Sequence, residues 1–312
     1  MEDDAFLKQV MVTGGRGFIG TALVNLLIDE GHDVVIVDIS SPDPAIPPVD
    51  ILDESRIDIL MEGCDAVVHL AAQISVQASI DDPSHTNLIN VDGTEVMLRA
   101  AARHGVKRFI HASSAAVYGD EDGLPLDETQ AGACLSPYAE SKWQNERQLR
   151  DWRGKGLETI ALRFFNVYGS GQSTGGGYAA VIPAFLHAMR SGAPVNIFGD
   201  GHQTRDFVHV SDVTRAILST LTVDWGRLEE HEFNIASGRA TSLLELHQSF
   251  ANAFHHHGVI VSEPTFKPAR EGDIRHSVAS IHRMLTILGT QPEISLEHGI
   301  KAMVDDALEA HD

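Results

Sequence analysis

The feature that most constrains this chain is a glycine-spaced turn between an apolar run and a helical pattern. Gln9-Val10-Met11-Val12 is short, apolar and strand-like, and Gly14-Gly15-Arg16-Gly17-Phe18-Ile19-Gly20 follows it. Residues Phe18 to Glu30 carry helical spacing through Ile19, Leu23, Leu26 and Leu27, ending before Gly31. Val34-Val35-Ile36-Val37 reads as a second buried strand, closed by Asp38. In such a strand–turn–helix, Gly14 permits a tight turn, Gly17 lets a pyrophosphate approach the backbone, and Gly20 lets the helix pack closely. The helix N-terminus, with Phe18 and Ile19 in its first turn, offers free N–H groups and a positive dipole end to an anion. Asp38 lies 18 residues past Gly20, where a carboxylate bonds an adenosine ribose and repels a 2′-phosphate. The pattern points to NAD rather than NADP. The alternative is a structural turn with Asp38 as a helix or loop cap.

The alternation continues. Asp65 to Leu70 reads as a third strand, about Ser84 to His104 as a long helix, and Lys107 to His111 as a fourth strand. A helix from Pro137 to Trp152 then precedes a fifth strand, Thr159 to Phe164. Repeated β-α units predict an α/β fold with a doubly wound parallel sheet and helices on both faces. Past about Asn166 the regularity fades, Gly175-Gly176-Gly177 suggests a flexible loop, and five prolines interrupt the remainder of the chain. We therefore expect a Rossmann-type domain over 1–170 and a smaller mixed α+β domain over 171–312, with about 205–225 returning to the first.

Charge and cysteines narrow the function classes. The net charge of −21 argues against a nucleic-acid surface, which needs a basic stripe, and against an anionic membrane surface. Two unpatterned cysteines, Cys64 and Cys134, fit a reduced compartment. No signal-like N-terminal core and no apolar run near the ~20 residues of a membrane helix are present, so a cytoplasmic protein is expected. The His255-His256-His257 run has no companion ligands at metal spacing, so no metal is expected.

Tyr138-Ala139-Glu140-Ser141-Lys142 places a phenol and an ammonium four residues apart, on one helix face. An ammonium beside a phenol stabilises phenolate, and the expectation is a phenol pKa lowered toward working pH. Alone the spacing is often a surface pair, but here it follows the fourth strand, which ends in Ser113-Ser114. With these blocks in order, the chain resembles the extended short-chain dehydrogenase/reductases, in their nucleotide-sugar epimerase/dehydratase branch. The resemblance spans about residues 8 to 303. It rests on Thr13 to Gly20, His69-Leu70-Ala71-Ala72, Asn90 to Thr94, Ser113 to Gly119, the Tyr138/Lys142 pair and Arg163 to Gly169. Phe198 to Gly201, Arg205 to Val210 and Arg270 to Arg275 complete it.

The resemblance implies roles for matching residues. Asp50 and Ile51 would line the adenine. Leu70, Ala71 and Ala72 would face the cofactor phosphates and ribose, Asn90 would stand behind the cofactor site, and Phe164 would also bind the cofactor. Lys142 would also bond the nicotinamide ribose. Ser114 would bond the reacting sugar oxygen, or else merely cap the next turn. Arg205 and Arg270 match phosphate-binding arginines, Asp273 a ribose partner, Asn166 a sugar-diphosphate partner and Phe198 the stretch meeting the base; a surface salt bridge is the alternative for each arginine. Ser277 would border the sugar pocket and leave volume for an N-acetyl group. Family dehydratases carry an Asp-Glu pair, and decarboxylases a Glu, where this chain has Ala115 and Ala116. The implied activity is thus 4-epimerisation of a nucleotide sugar, UDP-glucose to UDP-galactose above others, in a homodimer packed through the helices near 84–104 and 137–152. A nucleotide-sugar oxidoreductase, dehydratase or decarboxylase and, behind these, a dinucleotide-sensing binding protein are the competing readings.

Overall fold

The computed structural model describes residues 7–42, 46–172, 180–270 and 274–309. Strands β1 (Gln9–Thr13), β2 (Asp33–Val37), β3 (Ala66–His69), β4 (Arg108–Ser114) and β5 (Thr159–Phe164) form one parallel sheet with a sixth strand, Glu232–Ile235. Its order is Glu232–Ile235, β5, β4, β3, β1, β2. β1 shows why both faces need cover: Val10 and Val12 join one core and Met11 the other. Helix α1 (Phe18–Asp29) and helix Val210–Thr222 cover the first face through Leu23, Leu27, Val213 and Ile217. Ile57, Met61, Met97, Leu98 and Leu149, from helices Glu54–Met61, Gly93–Arg103 and Pro137–Arg153, cover the second.

The strand order reverses beside β1, between β3 and β2. Ligands of such sheets sit in the crevice at the carboxyl ends of the strands at that switch. Thr13, Leu70 and Ala71 lie there: the Leu70 amide donates to the Thr13 carbonyl (3.2 Å) and the Ala71 amide to Thr13 Oγ1 (3.1 Å).

Two elements differ from the sequence expectation. The helix read from Ser84 to His104 is three segments: Pro83–Asn87, a wide turn over Leu88–Asp92, and Gly93–Arg103. The wide turn releases the Asn90 carbonyl, which accepts from Asn145 Nδ2 (2.8 Å) and Thr94 Oγ1 (2.6 Å). The sixth strand lacks a sequence signal because Glu232-Phe233-Asn234-Ile235 is half polar. Asn234 is nonetheless fully buried, its Nδ2 donating to the Leu126 and Ser280 carbonyls (2.9 and 3.1 Å). The return to the large sheet thus reaches past residue 225, and Met284 and Leu288 also join its core.

A second, smaller core gathers Ile182, Phe185, Met189, Ile197, Phe250, Phe254, Ile300 and Val304. Three two-stranded ribbons border it: Asn166–Tyr168 with Phe207–His209, Thr204–Arg205 with Thr241–Ser242, and Asn196–Phe198 with Thr265–Lys267. The Gly175 to Gly177 run lies outside the described residues. No described helix is long and apolar enough to cross a membrane.

Candidate active site

The glycine turn forms a cradle with no room for side chains at Gly14 and Gly20. Gly14 adopts φ +65°, and a Cβ there would lie 2.9 Å from the Ala71 nitrogen. At Gly20 a Cβ would lie 2.0 Å from the Gly14 oxygen, so α1 can sit on the turn only with glycine. Gly17 is the N-cap of α1, with no side-chain cap and no acidic residue in the first turn. The leading amides of α1, at Phe18, Ile19 and Gly20, have no carbonyl one turn earlier in the helix to bond. These features fit a dinucleotide diphosphate.

Asp38 ends the crevice at the β2 side. Its Oδ2 accepts from the Arg16 amide (2.9 Å), and Oδ1 accepts from the Ser40 amide and hydroxyl (both 2.8 Å). The carboxylate therefore also caps the loop, the alternative role its sequence position allows, and this fixes its direction. The Val49 amide donates to the Asp38 carbonyl (2.8 Å), which brings Asp50 and Ile51 to the same edge. Ile51 is buried under Gly93, while Asp50 is exposed and Oδ1 accepts from the Leu52 amide (2.9 Å). Asn90 clamps the segment after Ala72: Oδ1 accepts from the Gln73 amide (2.8 Å), and Nδ2 donates to the Gln73 carbonyl (3.0 Å) and to Ser141 Oγ (2.9 Å).

The phenol and ammonium stand on helix Pro137–Arg153. Ser136 caps it by accepting from the Ala139 amide (3.1 Å), and Pro137 opens its first turn. The Tyr138 amide donates to Ser79 Oγ (3.1 Å), fixing the helix start. Lys142 is 2% exposed and donates from Nζ to the Ala112 carbonyl of β4 (2.8 Å). Ser114, at the end of β4 and opposite Phe164 in register, accepts from the Ala116 amide (3.2 Å). Ser114, Tyr138 and Lys142 thus converge on the β4 end.

The expected lowering of the phenol does not hold in the protein alone. Desolvation pushes the Tyr138 pKa up, and the hydrogen bond with Ser114 is the opposing influence. Burial likewise pulls Lys142 down to about 7, with the Glu146 carboxylate acting against it. Burial outweighs the Ser114 hydrogen bond, so the phenol stays protonated in the resting site. Two buried imidazoles lie behind Lys142, His69 of β3 and His111 of β4, with ring centroids 5.4 Å apart. Burial, then the lysine charge, takes His69 down to about 3 and His111 well below its ordinary value, so both are neutral.

The second lobe carries the remaining residues. Ser277 is buried, and its amide donates to the Thr204 carbonyl (3.1 Å), which sets it beside Arg205. Arg205 is half-buried, with Nη1 donating to the Thr204 carbonyl (2.8 Å). The exposed Asn166 is drawn to the same strip, its amide donating to the Asp206 carbonyl (3.0 Å). Arg270 is exposed and stacks its guanidinium 3.8 Å from the Phe198 ring centroid, so these two form one unit. Asp273 lies outside the described residues.

Sequence reading misses the carboxylates that brace this site. Asp206 is fully buried and accepts from Ser237 (amide 2.8 Å, hydroxyl 2.6 Å), the Gly238 amide (2.9 Å) and the Ala279 amide (3.2 Å). It thereby joins the strip bearing Arg205 and Ser277 to the end of the sixth strand. Its signal is its place after Arg205, but nothing in a sequence marks an acid as buried.

Comparison with known proteins places this geometry in a family. The model of the NAD dependent epimerase/dehydratase family matches residues 10–236. A putative UDP-glucose 4-epimerase of Methanocaldococcus jannaschii is 36% identical over 307 residues, covering 95% of this chain and 97% of that protein. A UDP-N-acetyl-alpha-D-glucosaminuronate decarboxylase of Bacillus cytotoxicus is 31% identical across 95% of this chain and 97% of its own length. The structure of a UDP-glucose 4-epimerase from Thermotoga maritima with UDP-glucose is 34% identical and matches with TM-score 0.89, over 97% of this chain and 100% of that one. With its cradle at the switch point and its Ser114, Tyr138 and Lys142 at the β4 end, the chain belongs to the NAD dependent epimerase/dehydratase family and is an NAD-dependent enzyme.

Proposed function

We propose that this protein is a UDP-sugar 4-epimerase interconverting UDP-glucose and UDP-galactose, with room for their N-acetylated counterparts. The observation that carries the reading is the pair Ala115 and Ala116, which form the short turn directly after Ser114. Dehydration and decarboxylation need a further acid or base there, and alanine moves no proton. Bound NAD supplies a reversible hydride acceptor. Gly14, Gly17, Phe18, Ile19 and Gly20 would hold its diphosphate, Asp38 the adenosine ribose, and Asp50 and Ile51 the adenine. Leu70, Ala71, Ala72, Asn90 and Phe164 would shape the remaining wall.

Tyr138 takes the O4 proton and later returns it, while Ser114 fixes O4 by hydrogen bond. Lys142 orients the nicotinamide ribose and supplies positive charge beside the phenol. The 4-keto sugar turns about its link to the diphosphate and is reduced on its other face. Arg205 and Arg270 would hold that diphosphate and Asn166 and Asp273 the sugar and ribose, with Phe198 against the base. Ser277, small and buried, would leave volume for an N-acetyl group. We place the protein in the cytoplasm as a homodimer joined through helices Gly93–Arg103 and Pro137–Arg153; a monomeric mass by light scattering would count against the dimer.

The test is a panel of UDP-glucose, UDP-galactose, UDP-GlcNAc and UDP-GalNAc incubated with the purified enzyme and read by NMR. We expect 4-epimers to form with no net change in NADH. Stoichiometric consumption of added NAD would instead mark a net oxidoreductase. Tyr138→Phe at the wild-type rate would sink the assignment.

A further inference from the structure

Behind the reacting groups lies a buried charge that the proposed mechanism leaves unused. Glu146 follows Lys142 by one helical turn and is fully buried. Its Oε1 accepts from Ser113 Oγ (2.6 Å) and Arg163 Nε (2.9 Å), and Oε2 accepts from Arg163 Nη2 (2.7 Å). Ser113 immediately precedes Ser114 on β4, and Arg163 belongs to β5. One carboxylate therefore ties the helix of Tyr138 and Lys142 to the strand bearing Ser114 and to its neighbour.

The far side of Arg163 is satisfied independently. Its Nη1 donates to the Tyr118 hydroxyl (2.9 Å) and the Glu128 carbonyl (2.7 Å). Tyr118 donates onward to Asn234 Oδ1 of the sixth strand. The network thus runs through three neighbouring strands and is anchored at both ends. A buried polar chain with its members satisfied fixes one arrangement and resists others.

Although paired with Arg163, Glu146 is also the carboxylate whose charge acts on the lysine. Facing Lys142 are Tyr138 from its own helix, His69 from β3, His111 from β4 and the Ala112 carbonyl. Both imidazoles are neutral and the phenol is protonated in the resting site. Among the described residues, Glu146 is the one charged group that favours the ammonium.

We propose that Glu146 is a positioning residue of the active centre: it sets Ser114 and Lys142 in register through Ser113 and Arg163, and its charge favours the ammonium form of Lys142. The proposal rests on the epimerase reading of Ser114, Tyr138 and Lys142. Three variants separate its two halves. Glu146→Gln removes the charge with little change of shape. Glu146→Asp keeps the charge but withdraws it by one methylene. Ser113→Ala keeps the charge and breaks only the strand contact.

The readouts are a ¹³Cε-lysine NMR titration and the pH profile of kcat, with folding followed by circular dichroism. The chain has six lysines, and Lys142 is the buried one, so its resonance stands apart. In Glu146→Gln the Lys142 midpoint should fall by on the order of one pH unit, and the high-pH limb of kcat should move down with it. In Ser113→Ala and Glu146→Asp the midpoint should stay near wild type, while kcat drops about tenfold with KM little changed, as for a transition-state interaction lost. A folded Glu146→Gln with the wild-type midpoint and profile overturns the electrostatic half. Wild-type kcat in both Ser113→Ala and Glu146→Asp overturns the register half, and decides the proposal if Glu146→Gln fails to fold. The lysine titration needs no substrate, so it reads out even if the wild-type enzyme epimerises none of the UDP-sugars, a result that would refute the proposed function alone.

Discussion

Lys142 gives the sharpest quantitative test, because a residue that the proposed reaction uses is held where it weakens the fold. Burial brings it from 10.5 to about 7. At 1.36 kcal/mol per pH unit, its ammonium costs the folded state about 5 kcal/mol at low pH. The folded-state pKa is depressed, so between 7 and 10.5 the unfolded chain binds more protons than the folded one. Stability from this group therefore rises with pH across that window and is lost as pH falls toward 7. At pH 7 about half the lysine is neutral, and the cost is about 4 kcal/mol; at pH 10 it is under about 1 kcal/mol. Lys142→Met removes that cost, fills the same apolar path and leaves the Glu146–Arg163 pair intact. It also strips the Ala112 carbonyl of its donor, which costs about 1–3 kcal/mol. Lys142→Met should thus be more stable than wild type by about 1–3 kcal/mol at pH 7 and equal or less stable at pH 10. Urea unfolding of the two NAD-stripped proteins at several pH values measures the difference, in which other titrating groups cancel. Activity should meanwhile fall by about 100-fold or more. A pH-independent difference, or a variant less stable at pH 7, would refute the reasoning.

Three other outcomes are expected from the same geometry. Gly20→Ala sets a Cβ 2.0 Å from the Gly14 oxygen, so α1 must lift off the turn; we expect a loss of about 3 kcal/mol by urea unfolding and loss of copurified NAD by absorbance at 260 nm. Ser277→Tyr should abolish turnover of N-acetylated UDP-sugars by NMR assay while sparing UDP-glucose, and unchanged use of UDP-GlcNAc would refute that placement. The net charge of −21 implies surface self-repulsion that salt screens, so Tm should climb between 0.05 and 1 M NaCl (about 14 to 3 Å of screening length), and a flat Tm would refute it.

Much of the frame is legible in the sequence because periodicity and glycine spacing are local. β1, α1, β2 and β5 fall within a residue of where the pattern puts them, and the crevice follows from strand order. The features without a local signal are long-range. The wide turn at Leu88–Asp92 exists to give the Asn90 carbonyl to Asn145, 55 residues away. The sixth strand is polar in sequence because Asn234 serves three separate segments. Glu146 and Asp206 look like surface acids in any window, and only folding shows them at zero exposure. The phenol differs from its expectation for a related reason: spacing puts Lys142 near Tyr138 but says nothing of the burial that pushes the phenol up.

The same contrast explains how a chain of net charge −21 can hold two diphosphates. A net charge acts through solvent and is screened within about 8 Å at physiological salt. The groups that would meet the anions act at contact: unsatisfied amides at the start of α1, the half-buried Arg205, and the Arg270 guanidinium stacked on Phe198. The buried acids closest to the chemistry are each held by their own donors, Glu146 by Arg163 and Ser113 and Asp206 by three amides and a hydroxyl. The rest of the negative charge lies mostly on the outer surface, where salt screens it.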